Sequence, residues 1–224
     1  LTQVLGSQLF DACGRLGIYL GVSSVRVICL TGGLASGKST ATKFLAQQGA
    51  QVIDADRLGH RAYDLGTQAY RQVIETFGEE VVGDDNQIDR KVLGSKVFAQ
   101  PAALKQLTDI VWPEIRRLAV MEIAGFEALY PDGIIILEAA VLFEAGWEDM
   151  GEEIWVVVAD REVAIDRAMS RDGASREAVE QRLNAQFSNE ERVSRADLVI
   201  DNSGAAEQMQ RQLADNWTRL NAKG

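Results

Sequence analysis

Residues Gly32-Gly33-Leu34-Ala35-Ser36-Gly37-Lys38-Ser39 fit the spacing G-x-x-x-x-G-K-[ST], between an apolar run and a helix-forming run. Glycines at these places let the backbone turn tightly, so that its N–H groups approach an anion closely. A helix starting near Lys38 would aim its positive end at the same anion. The chemistry is the cradling of a nucleoside triphosphate. Gly33, Ala35, Ser36 and Gly37 are expected to line the phosphates. Lys38 is expected to reach the β- and γ-phosphates, Ser39 to ligate Mg²⁺, and Thr40 to add a hydroxyl near the α-phosphate. A chance glycine-rich turn is the alternative, and the strand–loop–helix setting argues against it. The expectation is an ATP-dependent kinase of the P-loop class acting on a small molecule.

Four further groups of residues bear on that chemistry. Asp54-Ala55-Asp56 follows a second apolar run, where a carboxylate could accept the proton of an attacking hydroxyl or hold a water of the Mg²⁺ shell. Asp54 fits helix capping as well as it fits catalysis, so Asp56 is the expected base. Glu138 ends the third apolar run, where P-loop enzymes often support Mg²⁺. Glu144 is an alternative acidic contact or a surface charge. Between Arg161 and Arg192 lie Arg167, Arg171, Arg176 and Arg182. Arg171, with Arg167 one helical turn away, is expected to act on the phosphates. Arg161 is expected at the surface, and the competing reading of the whole group is a solvated helix face paired with Glu162, Asp166 and Glu180. His60 lies four residues after Asp56, on the same face of a helix, and reads either as a substrate contact or as a packed polar residue.

The elements that must position these residues follow from hydrophobic patterning. Val25 to Leu30, Val52-Ile53 with their flanks, Ile134 to Leu137, Ile154 to Val158 and Leu198 to Ile200 are continuous apolar runs. Such runs fit strands covered on both faces, as in a parallel sheet. Helices are expected at Thr40 to Gln48, closing at Gly49, and at Arg161 to Arg171, Ser175 to Glu191 and Ala205 to Asn221. The alternation predicts an α/β P-loop kinase fold, a doubly wound five-stranded parallel sheet over 25–224. Residues 57–132, with Leu104, Leu107, Ile110 and Val111 at helical spacing, read as a helical insertion that binds the acceptor. Residues 161–192 read as a helical lid, and 1–24 as an N-terminal extension or linker.

The 224-residue chain carries a formal charge of −10, which argues against a nucleic-acid groove but not against a small anionic substrate. No apolar run reaches the roughly 18 residues of a membrane span. Leu16 to Val22 is a short, weak candidate for a targeting signal. The chain starts at Leu1, so a processed form or a piece of a longer protein is expected. Cys13 and Cys29 suggest no disulfide framework, and Cys29 reads as a buried, inert thiol. Reduced cysteines suit the cytoplasm or a mitochondrion.

The ordered set of motifs resembles the dephospho-coenzyme A kinase family from about Val25 to Gly204. It comprises Leu30-Thr31-Gly32-Gly33 through Thr40, Val52-Ile53-Asp54-Ala55-Asp56, His60, Phe77-Gly78, Ile88-Asp89-Arg90, Leu93, Val97-Phe98, Arg171-Asp172, Gln186 and Ile200-Asp201-Asn202. Other stretches are similar to the kinase domain of the eukaryotic bifunctional coenzyme A synthase: His60-Arg61-Ala62-Tyr63, Arg90 to Ser95, Leu107 to Ile110, Trp112-Pro113 and Glu144 to Trp147. That resemblance implies a fused upstream adenylyltransferase domain and a mitochondrial alternative to the cytoplasm. The family resemblance implies transfer of the γ-phosphate of ATP to the ribose 3′-hydroxyl of dephospho-coenzyme A, with Mg²⁺. It further implies Asp56 as base, Arg171 in the lid, Asn202 near the adenine-binding turn, and His60 and Arg90 on the acceptor side. Trp112-Pro113 replaces a common bacterial His-Pro, and Ala140-Val141-Leu142 a common Pro-Leu-Leu, which leaves the contact of Glu138 open. The alternatives are a P-loop kinase for a nucleoside, a nucleotide or shikimate, and a nucleotide-binding module without catalysis.

Overall fold

Each of the five apolar runs is a strand: β1 (Arg26–Gly32), β2 (Gln51–Asp54), β3 (Ile134–Glu138), β4 (Glu153–Val158) and β5 (Leu198–Asp201). The structure is a computed structural model that describes residues 25–98 and 100–222. The expected extension 1–24, the candidate signal within it and Cys13 lie outside the described residues.

The strands form one sheet in the order β2-β3-β1-β4-β5, and every neighbouring pair is parallel. Why the runs are continuous is visible in how they divide between two cores. Ile28, Leu30, Ile136, Trp155 and Val157 face one side, with Ala41, Leu45, Met209 and Leu213. These belong to helices α1 (Lys38–Gln47) and, later in the chain, α9 (Ala206–Asn221). Cys29, Ile135, Leu137 and Val156 face the other side, with Leu58, Val111, Ile115 and Ala119. Burial pushes the Cys29 thiol up to about 12, helped by the nearby Asp149 carboxylate. That is the inert thiol expected. The chain leaves β1 for the edge strand β2, returns to β3, and then crosses to β4. This reversal leaves a crevice at the carboxyl ends of the strands beside β1.

The long gap is helical, as expected: α2 (Ala55–Arg61), α3 (Gln68–Phe77), α4 (Arg90–Val97) and the 29-residue α5 (Pro101–Leu129). Val73, Phe77, Val81, Ile88, Leu93 and Val97 make a third, smaller core, and Tyr63, Leu107 and Ile110 join it to the sheet-face core that contains Leu58 and Ile115. Leu104 faces solvent, so one of the four residues that suggested helical spacing is not buried. The first insertion helix begins at Ala55, two residues before the expected boundary, because Asp54 accepts the backbone N–H of Arg57 and caps it.

Beyond β4, α6 (Arg161–Asp172) matches its expected span. The single helix expected at Ser175 to Glu191 is two, α7 (Arg176–Asn184) and α8 (Asn189–Val193). Ser188 and Glu191 form a reciprocal capping box, which starts a new helix where the old one would have continued. Ile165, Ala168 and Val179 of α6 and α7 form a small core against Leu34 and Ala35 of the phosphate loop.

Candidate active site

The phosphate loop is strained where its function needs close backbone approach. Gly37 has φ 106°, and a Cβ there would stand 2.1 Å from Asn202 Nδ2. A Cβ on Gly32 would stand 2.3 Å from the Val157 carbonyl oxygen. Ala35 takes a left-handed φ of 54°. Lys38 Nζ donates to the carbonyls of Gly32 (2.9 Å) and Gly33 (3.1 Å), which curls it over the loop. Ser36 Oγ is buried without a hydrogen-bond partner among the described residues. Asn202 is buried and donates from Nδ2 to the Ser36 carbonyl at 2.7 Å, so its amide holds the loop itself. Thr40, Arg167, Arg171 and Asn202 line a cavity of about 460 Å³ with residues 35–39.

On the other flank, the ends of β2 and β3 bring the carboxylates in. Asp54 and Glu138 are register partners across the β2–β3 pair. Glu138 accepts a hydrogen bond from Thr42 Oγ1 at 2.9 Å and lines a cavity of about 720 Å³ that also contains Ser39, Asp54 and His60. Burial raises the Glu138 pKa; the Thr42 bond and Lys38 oppose the rise. Asp56 sits in the first turn of α2. Its carboxyl opens to solvent on one side, yet displacement of water by the protein raises its pKa. Asp54 adds to that rise, and Lys38 and His60 counter it. Burial lowers the Lys38 pKa, with Glu138 and Asp56 acting to raise it and Arg192 and Arg171 to lower it. Asp56, Glu138 and Arg171, from three different elements, thus all act on the charge of Lys38.

His60 and Arg90 also meet. Arg90 Nη2 donates to the His60 carbonyl at 2.8 Å, and its guanidinium carbon lies 5.9 Å from the centre of the Tyr63 ring. They share a cavity of about 470 Å³ with Asp89 and Lys91. On α6, Arg171 is held by Asp172 at 2.7 and 3.0 Å, and Arg167 donates to the Asn202 carbonyl. Arg161 reaches Asn184, and Arg176 pairs with Glu162 and Glu180, which is the solvated-face reading for that residue.

Two residues at the loop were not singled out by sequence. Gln186 accepts the Leu34 N–H at 3.0 Å. Arg192 is fully buried beside Gly33. Gln186 belonged to the ordered motif set without a role, and Arg192 appeared only as one arginine among six.

Comparison with known proteins identifies the family. A family model described as dephospho-CoA kinase matches residues 26–208. The dephospho-CoA kinase of Geobacter sulfurreducens is 45% identical over 87% of this chain and 98% of its own. That of Bacillus licheniformis is 38% identical, with 87% and 98% covered. A crystal structure from Thermus thermophilus superposes with a TM-score of 0.73 at 36% identity, covering 87% of this chain and 97% of that one. The dephospho-CoA kinase of Campylobacter jejuni gives 0.67 at 26% identity, with 88% and 97% covered. A shikimate kinase from Bacteroides thetaiotaomicron, with a TM-score of 0.50 at 12% identity, shares the fold alone. These relatives are bacterial, and the expected adenylyltransferase domain has no counterpart in the Geobacter protein. The nearer likeness to the eukaryotic synthase and the mitochondrial alternative therefore draw no support from them. The chain belongs to the dephospho-CoA kinase family, and with it to the ATP-dependent kinases.

Proposed function

We propose that this chain transfers the γ-phosphoryl group of ATP to the ribose 3′-hydroxyl of dephospho-coenzyme A, giving coenzyme A and ADP. The observation that carries the reading is that Asp56 and Glu138 both act on the charge of Lys38, with Lys38 lining the nucleotide-side cavity and Glu138 the cavity shared with His60. ATP lies along the loop, with Lys38 exchanging the Gly32 and Gly33 carbonyls for the β- and γ-phosphates. The acceptor lies on the insertion side, against His60 and Arg90. Asp56 takes the proton of the 3′-hydroxyl as its oxygen bonds to the γ-phosphorus and the bond to the β-phosphate oxygen breaks. Arg171, released from Asp172 by lid closure, meets the charge on the transferring group. A cytoplasmic setting belongs to the same reading.

Mg²⁺ in such sites keeps several waters and takes only one or two protein ligands. No group of three or more His, Cys, Asp or Glu able to hold a metal occurs among the described residues, which fits that sparse coordination. Ser39 and Glu138 share one cavity and are the residues that would hold the ion. The ion supplies charge neutralisation on the phosphates.

Mass-spectrometric detection of coenzyme A from dephospho-coenzyme A, ATP and Mg²⁺ tests the proposal. Saturable turnover is expected. Turnover of a nucleoside or of shikimate, with none of dephospho-coenzyme A, would overturn it. So would tight ATP binding with no turnover of any acceptor.

A further inference from the structure

Among the six arginines of the lid region, Arg192 is the one the protein buries, at 2% exposure. Its neighbours in sequence are exposed and neutralised: Arg171 and Arg182 by Asp172, Arg176 by Glu162 and Glu180. Arg192 donates from Nη1 to the Phe187 carbonyl and from Nη2 to Glu144 Oε1 at 3.4 Å, a long contact. Its Nε and the second Glu144 oxygen have no hydrogen-bond partner among the described residues. A guanidinium does not shed its proton in proteins, so a full charge is buried with one loosely held counter-ion.

The place of that charge is specific. A Cβ on Gly33 would stand 3.6 Å from Arg192 Nη1 and 3.9 Å from Gln186 Oε1. Arg192 and Gln186 line, with Gly33 and Leu34, a cavity of about 270 Å³ beneath the lid. Lys38 curls over the same Gly32–Gly33 end of the loop, and Arg192 is one of the two cations acting on it. Because Lys38 serves the terminal phosphates, that end of the loop is the γ end.

We propose that Arg192 is a second phosphoryl-binding cation, whose guanidinium completes its incomplete hydrogen bonding on the terminal phosphate of ATP and stabilises the charge that builds there during transfer. The proposal rests on the phosphotransfer reading above and adds a named group to it. Arg171 then closes on the phosphates from the mobile side of the lid, and Arg192 holds them from the fixed side.

Arg192→Met and Arg192→Lys, with wild type, test it by calorimetric binding of ADP and of a non-hydrolysable ATP analogue, by kcat, and by thermal unfolding. The expected result for Arg192→Met is a loss of about tenfold or more in affinity for the ATP analogue, ADP affinity within about twofold, and kcat down about 10²-fold. Lysine should restore part of kcat, because it keeps the charge but not the planar fork. If Arg192→Met does not fold, the same comparison is made on Arg192→Lys alone, with a smaller loss confined to the triphosphate. Equal loss of ADP and ATP-analogue affinity would mean a bracing role only and would overturn the proposal. So would a kcat within about threefold of wild type. Absence of coenzyme A in the wild-type assay would sink the acceptor assignment instead, while discrimination between the nucleotides would still decide the role of Arg192.

Discussion

Asp56 is built to be an uncomfortable carboxylate. Displacement of water by the surrounding protein and the neighbouring Asp54 raise its pKa, and Lys38 only partly offsets them. A group whose folded pKa is raised favours the fold below its unfolded pKa, and that support is lost as pH rises through the folded value. At neutral pH the charged Asp56 therefore costs some stability, a cost that its exposure to solvent keeps small. Asp56→Asn should lower kcat by about 10²-fold or more while ATP still binds. The same variant should unfold at a higher temperature than wild type at pH 7. A near-wild-type rate would show that Asp56 is not the base, and a lowered unfolding temperature would show that its charge is not strained. In wild type the acid limb of kcat should fall at a pH above the ordinary aspartate range, because the base must first lose its proton. The position of Asp56, just past the end of β2 and electrostatically coupled to Lys38, was legible in sequence because residues that follow the strands of such a sheet border its crevice. Arg192 was not. Its burial depends on Phe187, Glu144 and Gly33 closing around it, and Gly33 and Glu144 are distant in sequence.

At the level of elements, Asp54 and Asp56 divide two jobs that sequence could not separate for Asp54. Asp54 caps α2 through the Arg57 N–H at 3.0 Å, and α2 carries Asp56. Asp54→Ser should keep the cap but remove a negative charge beside Asp56. Its unfolding temperature should stay near wild type, and the acid limb of kcat should move to lower pH. Asp54→Ala should shift the limb likewise but also lose about 1 kcal/mol of stability. Equal destabilisation by both variants, or an unmoved acid limb, would refute this division. The central strands β1, β3 and β4 were readable because they are buried on both faces and so lack polar interruptions, while the edge strands β2 and β5 are short and only partly buried. The split between α7 and α8 was harder to see, since no proline or glycine marks it. The signal present was Ser188 with Glu191 three residues on. The Ser188 hydroxyl accepts the Glu191 N–H at 3.1 Å, and the Glu191 carboxylate accepts the Ser188 N–H at 2.7 Å. That local closure wins over continuing α7, and the new helix carries Arg192, which lies beside Gly33 of the loop.

Over the whole molecule, a net charge of −10 coexists with a cluster of cations, Lys38, Arg167, Arg171 and Arg192, around one loop. The chemistry occupies the carboxyl ends of the parallel strands, and a separate ion-pair clamp occupies the amino ends. There Glu153, the first residue of β4, accepts from Arg219 Nη2 at 2.6 Å, from Trp155 Nε1 at 3.0 Å and from Arg26 Nη2 at 3.2 Å. The clamp ties β1, β4 and α9 together. Hydrogen bonding from Arg219 brings the Glu153 pKa down from 4.5 to about 2, with Trp155 and the charge of Arg26 assisting. A depressed carboxylate pKa stabilises the fold above the unfolded value, and that support disappears as pH falls through the folded one. Glu153→Gln keeps the shape and the tryptophan bond but removes the charge between two arginines. It should cost about 2 kcal/mol at pH 7, the scale of hydrogen bonds to a charged group. For a domain of this size, that corresponds to a fall of about 4–8 °C in the unfolding temperature. The gap between variant and wild type should narrow as pH drops below 4.5 toward 2. Because the clamp lies at the end of the sheet away from the loop, kcat at 25 °C should not change. A gap that held constant with pH would mean that packing, not charge, makes the clamp, and a fallen kcat would mean that the two ends of the sheet are mechanically coupled.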